Sequence, residues 1–321
     1  MFANGWAGGR VTFPVTNVFS TIQLTVTRAG IQRGMRCDLH VHTRHSGMCN
    51  IPGFHRFCRE SYNDPQAVYQ TLKRRGMDLV TVTDHDSIDA AEQLRRYPDF
   101  FLSEEVTCTT PSNTEIHVGV YGIEERHHVE LQRRRTDVPA LAAYLNEQKI
   151  LFSINHVFSS LTGRRTELDF EMFQDLFPAM ETLNGHIPSG NNRAAMQLAV
   201  DWQKAAVAGS DAHTLETLAL TYTEVANADS IRTYLEAVRH GRGQVTGASG
   251  NYAKLTRAVL GIGASLVRER HWAFALTPFM LAVPIVTLVN YFCELSFHAR
   301  WSRAMWPSAL ADSACTEAAE S

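Results

Sequence analysis

His40 and His42 close a short apolar run, Met35-Arg36-Cys37-Asp38-Leu39-His40-Val41-His42-Thr43. In an extended strand, side chains at i and i+2 point to the same face, so the two imidazoles project side by side. That arrangement suits one metal ion and is awkward for a packed core. Asp211 and His213, in Gly209-Ser210-Asp211-Ala212-His213, repeat the spacing after the apolar run Ala205–Ala208. Asp84-His85-Asp86 follows Asp78–Thr83, Glu104-Glu105 follows Phe100–Leu102, and Asn155-His156 follows Lys149–Ile154. His117 interrupts the apolar pattern of Glu115–Tyr121. Neutral imidazole and carboxylate are ligands for divalent ions such as Mn, Fe or Zn, and without clustered thiolates a structural zinc site is not indicated.

Such residues can cooperate only if the strands that carry them end in one place. Six apolar stretches running into ligand-type residues imply a ring of parallel strands whose ends converge on a polynuclear metal centre. Helices are expected between them at Asp64–Arg75, where Pro65 sits in the first turn and Gly76 stops it, and at Ser87–Tyr97, Asp137–Gln148, Glu167–Phe177, Asn192–Lys204 and Ser230–His240. A further strand is expected at Pro178–Leu183. Strands alternating with helical stretches are the pattern of a parallel sheet.

In this order and spacing, the motifs Asp38-Leu39-His40-Val41-His42-Thr43, Thr83-Asp84-His85-Asp86, the Glu105 strand end, His117, Asn155-His156 and Gly209-Ser210-Asp211-Ala212-His213 resemble the PHP (polymerase and histidinol phosphatase) superfamily of metal-dependent phosphoesterases. The resemblance spans roughly residues 35–250. It implies an α/β fold, a distorted (β/α)7 TIM-like barrel with its site on the C-terminal face. It also implies a first metal on His40, His42 and Asp211, with Glu105 bridging to a second metal on His117 and His156. A third, where the family has one, would use His85, His213 and a residue from the loop after the first strand. There the chain departs from the pattern: Gly47 stands at the expected acid, leaving His45, Cys49 or water. The choice of Glu105 over Glu104 rests on strand alternation and on the family's Gly-x-Glu pattern, with Ser103 at the glycine.

The implied reaction is hydrolysis of a phosphate ester by a metal-bridging hydroxide, with two or three divalent ions. Glu105, Asp211, His213 and Asp84 are the catalytic candidates. Asp84 is better suited to orienting a ligand than to being one, and His213, His85 or a water could serve as general acid. Arg44, Arg193 and His186 are the candidate substrate contacts, against the plainer reading of the arginines as solvated surface groups. The long loop Ser46–Ser61 is expected to shape the pocket. His127, His128 and Arg133-Arg134-Arg135 read as surface.

The 321 residues, 45% hydrophobic with a net charge of −3, can bury a large core and carry no general pull toward nucleic acid or anionic membranes. Six scattered cysteines without CxxC spacing read as reduced thiols of a cytoplasmic protein. Met1–Gly9 has no signal-peptide pattern. The domain reading is an N-terminal extension at 1–34, with strands between Val11 and Thr27; a phosphoesterase domain at 35–250; and a C-terminal region at 251–321 whose tail after Pro307 is disordered. Trp272–Cys293 carries no formally charged side chain and is about long enough to span a bilayer; Arg268 and Arg270 precede it, Arg300 and Arg303 follow. It is either a membrane segment or a hairpin of two short core helices around Pro284. The leading expectation is a stand-alone phosphoesterase for a small phosphorylated metabolite or nucleotide, with no stable nucleic-acid partner. The alternatives are a phosphodiesterase or nuclease on oligonucleotides, a membrane-tethered regulatory module with a structural metal, and an amidohydrolase-like barrel. The last commonly bridges its metals with lysine, where this chain has glutamate.

Overall fold

The computed structural model describes residues 33–49 and 53–306. The extension through Gln32, its expected strands, and the tail after Trp306 lie outside the described residues. Eight strands fall into two sheets. In the larger, β2 (Ser103–Thr109), β3 (Glu115–Tyr121), β4 (Leu151–Ile154), β5 (Ala179–Asn184) and β6 (Ala205–Gly209) lie in that order. The smaller runs β1 (Met35–Cys37), β7 (Thr221–Val225), β8 (Gly243–Gly247).

The ladders correct the expectation of a closed parallel ring. The β4–β5 and β5–β6 pairs are parallel, but β3 is antiparallel to both β2 and β4. The physical reason lies in connection length: β2 and β3 are joined by only Thr110–Thr114, and a parallel crossover needs a dozen or more residues. Asp78–Thr83 forms no named strand. Within it Val80 bridges singly to Phe100; just beyond it His85 bridges to Glu105, and Val41 bridges to Ala212. The result is an α/β fold without a closed barrel among the described residues.

Helices follow local capping chemistry. The Asp64 carboxylate accepts from the amides of Gln66 and Ala67 to start α1 (Pro65–Arg74), and Gly76, at φ +83°, ends it. A Thr166–Asp169 capping box starts α5 (Glu167–Leu176). The Ser87–Tyr97 stretch yields only α2 (Ala91–Leu94), and a helix not anticipated, α3 (Glu125–Arg134), follows β3. With α4 (Val138–Glu147), α3 and α5 pack on β2–β4 through Leu131, Leu141, Phe152, Phe170 and Phe173. Two more helices, α6 (Ser189–Asp201) and α7 (Ile231–Arg239), flank β5 and β6 and the smaller sheet.

The C-terminal region is α8 (Tyr252–Glu269), a 3-10 helix (His271–Ala282) and α9 (Val283–Met305). His271–Met305 is long and apolar enough to cross a membrane by length and composition. The reading as core helices does not hold, because Phe274, Phe279 and Leu281 are mostly exposed. Pro284 sits in the first turn of α9, where proline is tolerated, so it makes no hairpin.

Candidate metal centre

The ends of the strands and strand-like segments bring His40, His42, His85, Glu105, His117, His156, Asp211 and His213 together. Gly209 makes this closeness possible: a Cβ there would lie 2.3 Å from both the Cβ and the amide nitrogen of His40. Two of these residues occupy the left-handed backbone region that non-glycine residues rarely adopt, His156 at φ 29° and Asp211 at φ 52°. Each is held there by its amide, which donates from His156 to Glu181 Oε2 at 2.9 Å and from Asp211 to the His40 carbonyl at 2.7 Å.

Glu105 is the hub and is fully buried. Its Oε2 lies 3.0 Å from His40 Nε2, 3.4 Å from His42 Nε2 and 3.5 Å from His85 Nε2. Its Oε1 lies 3.3 Å from His156 Nε2 and 3.5 Å from His117 Nδ1. Burial opposes its charge, but the facing imidazoles of His40, His85 and His117 hold the carboxyl well below its usual range. Asp211 Oδ1 faces His42 Nε2 at 3.2 Å and His40 Nε2 at 3.6 Å, and is likewise held low against burial. Glu104 points the other way, to His128 and Gln132 of α3.

The donors fit a cation rather than a simple hydrogen-bond network. A carboxylate only accepts, so His40 donates from Nδ1 to Glu181 Oε1 at 2.7 Å while Nε2 confronts Glu105. A neutral ring would then aim a lone pair at a carboxylate. His213 repeats the arrangement, with Nδ1 donating to the Asp211 carbonyl at 2.9 Å and Nε2 2.7 Å from Glu60 Oε1. Only a proton or a metal ion between them resolves this. Burial lowers both rings, yet the surrounding carboxylates raise His40 well above its usual value and His213 to about 9. His117 rises to about 10 by the same contest, with Glu105 opposing burial. His42 goes the other way, to about 3, through burial and the neighbouring His213. His42 Nε2, His85 Nδ1 and His156 Nδ1 are buried without a hydrogen-bond partner. Among the described residues, five overlapping trios bring ligand atoms within 4.8 Å of one another, including His40–His42–Asp211, His85–Glu105–His117 and His42–Glu60–His85.

Glu60 is the acid that the sequence reading misses. It comes from the long loop rather than from position 47, and its Oε1 also lies 3.3 Å from His85 Nε2. Gly47 has φ +89°, a turn position suited to glycine rather than to a ligand, and His45 turns to Asp89 at 4.0 Å. The sequence reading quotes Asn155 only as part of the Asn155-His156 motif, and it assigns no role to Glu181 or Asn184. Asn184 donates to Glu181 and Asp211, and Asn155 donates to Glu105. Strand position after Met180 was the available signal for Glu181; Glu60 had none beyond its loop.

Asp84 touches none of the ligand nitrogens. It accepts from the Thr43 amide at 2.6 Å and hydroxyl at 2.7 Å, pinning the residue after His42, and burial pushes it up to about 6. The substrate candidates divide. His186 joins Asp211 and His213 as a third potential ligand, with Nε2 buried and unpartnered. Arg44 is instead paired with Asp64 at 2.9 Å, and Arg193 lies exposed on α6. His127, expected at the surface, is buried, and its Nδ1 accepts from the Glu124 amide at the start of α3.

Comparison with known proteins agrees with the resemblance seen in the motifs. The family model described as PHP-associated matches residues 189–242, the segment holding Asp211 and His213. An uncharacterised protein of Methanocaldococcus jannaschii is 29% identical over 82 residues, 25% of this chain; the match spans 46% of that protein, under half its length. Among solved structures, PsfC of Pseudomonas syringae superposes with a TM-score of 0.52 at 14% identity, covering 73% of this chain and 98% of its own, a likeness of fold. A lesion-specific endonuclease of Pyrococcus furiosus gives a TM-score of 0.45 at 15% identity over 66% of this chain and 57% of its own. The chain resembles the PHP superfamily.

Proposed function

We propose that this chain is a metal-dependent phosphoesterase that hydrolyses a phosphate ester. The observation that carries the reading is the two-sided Glu105 carboxylate, with His40 and His42 on Oε2 and His117 and His156 on Oε1. A structural site needs no such bridge.

Under this reading His40, His42 and Asp211 with Glu105 would hold one divalent ion (Mn, Fe or Zn), and Glu105, His117 and His156 would hold another. His85, Glu60 and His213 offer a third position. When bound, the ions supply a lowered water pKa and neutralise charge building on the phosphoryl oxygens. The chain supplies the rest. Glu181 fixes the His40 tautomer so that Nε2 faces inward. Asn155 and Asn184 restrain Glu105 and Asp211. Where no ion takes the third position, the partly exposed His213 can pass a proton from Nε2 to a departing alkoxide. On this reading residues 35–250 form the phosphoesterase domain, with two or three ions at its centre.

The test is phosphate release by the purified protein, with manganese supplied, from a set of phosphomonoesters and from bis-esters of oligonucleotide type. Release that disappears in Asp211→Asn supports the reading. Full activity of Asp211→Asn, or no release from any ester by metal-loaded protein, overturns it. Cleavage confined to the bis-esters would assign the chain to the nuclease alternative.

A further inference from the structure

Beside the metal centre the C-terminal helices form an apolar prong whose base is fixed and whose tip is bare. At the base, the buried Glu294 carboxylate accepts from Ser159 Oγ at 3.1 Å and from the Ser160 amide at 2.9 Å. Trp301 packs on Phe170 with ring centroids 4.8 Å apart. Beyond this anchor Phe274, Phe279 and Leu281 are 70%, 63% and 83% exposed, and Ile285 and Val286 are 67% and 58% exposed. Thr287 turns inward, its hydroxyl 2.8 Å from that of Thr256 on α8.

The chemistry of the tip favours lipid as its occupant. At 100° per residue, the exposed positions Ile285, Val286, Leu288, Val289 and Phe292, with Pro284, sweep more than half of the helix circumference. A helix that docks on a protein presents a narrower stripe, and protein interfaces carry regular hydrogen bonds. From Trp272 to Cys293 there is no Asp, Glu, Lys or Arg. Arg268 and Arg270, both exposed, immediately precede the apolar segment, and Arg257 is exposed further back on α8, a basic flank suited to anionic headgroups. Because the second half of α9 is tied into the domain by Glu294 and Trp301, the segment enters a bilayer from one side rather than crossing it.

The prong is also joined to the catalytic face. The Trp272 and Phe57 rings meet at 5.2 Å, and Cys58 packs with Leu266 and Ala273. Two positions after Cys58, Glu60 reaches His213. From this continuity we infer that the prong seats the metal-centre mouth on a lipid bilayer, and that the ester hydrolysed is the phosphate ester of a membrane-borne amphiphile. The second half rests on the phosphoesterase reading proposed above.

The full chain, loaded with manganese, is tested for flotation with vesicles of phosphatidylcholine and phosphatidylglycerol, and for phosphate release from phosphatidic acid in the same vesicles and from soluble p-nitrophenyl phosphate. Phe279→Asp combined with Leu281→Asp alters only exposed tip residues. Wild type should float. The double variant should lose at least about a hundredfold in vesicle partition and in release from the lipid, with soluble-ester turnover unchanged. Wild type remaining in the soluble fraction, or a variant that floats as well, overturns the docking. A dimer that the variant converts to monomer, without flotation, assigns the tip to a second copy and overturns it too. Flotation with soluble-ester activity but no release from the lipid overturns the substrate class. Absence of release from both substrates sinks the phosphoesterase reading, while flotation still judges the docking separately.

Discussion

Glu60 Oε1 lies 2.7 Å from Nε2 of His213, a contact between residues 153 positions apart. It joins the loop after the first strand-like segment to the His213 motif, and puts a carboxylate beside His213 and His85 where position 47 has none.

Glu60→Gln should therefore remove binding at one metal position, with about a hundredfold loss of affinity there, while the ions on Glu105 remain. His45→Ala and Cys49→Ser should leave metal content unchanged. Elemental analysis of the three purified variants checks this; equal loss in His45→Ala would contradict it.

Glu181 holds the centre from behind, accepting from His40 Nδ1 on one oxygen and from the His156 amide on the other. Glu181→Gln keeps a group that can accept from Nδ1 but removes the charge, and should weaken manganese binding by about 10- to 100-fold. Isothermal titration measures the loss, and circular dichroism should show the fold intact.

Metal binding should strengthen as pH rises. In the metal-free centre His213 titrates at about 9 and His117 at about 10, both raised from 6.5, so at neutral pH each proton must leave before its ring can ligate. The sign for stability is opposite. Raised imidazole pKa values stabilise the metal-free protein fully below 6.5, and that contribution fades as pH climbs through about 9 and 10. The thermal shift produced by manganese should thus grow between about pH 6.5 and 9. Thermal scans with and without the ion, across that window, would refute this if the shift were flat or falling.

Trp301 anchors α9 in the main core, against Phe170. Trp301→Ala should cost about 3–5 kcal/mol, as large-to-small core changes do. Urea unfolding reads the loss; a change under about 1 kcal/mol would mean α9 is not held there.

Most of the side-chain cluster was legible because imidazoles and acids at the ends of apolar runs are hard to explain as core. His40 and His42 share a face by strand period alone, and Glu105 separates from Glu104 by alternation. What was not legible depended on non-local geometry. Glu60 lies in an irregular loop, where no periodicity assigns a direction. The antiparallel placing of β3 follows from the short turn Thr110–Thr114, which the His117 motif did not reveal. Asp64 captures Arg44 through a contact that only the folded chain defines. The segment after Trp272 reads as apolar in either setting, and sequence could not show that Glu294 and Trp301 anchor one end while Phe279 and Leu281 stay bare.

The most direct measurement is an anomalous-scattering map at the manganese edge from crystals grown with manganese. The account predicts two peaks flanking Glu105, one ligated by His40, His42 and Asp211 and one by His117 and His156. Manganese found only at surface carboxylates, with these imidazoles unligated, would contradict it.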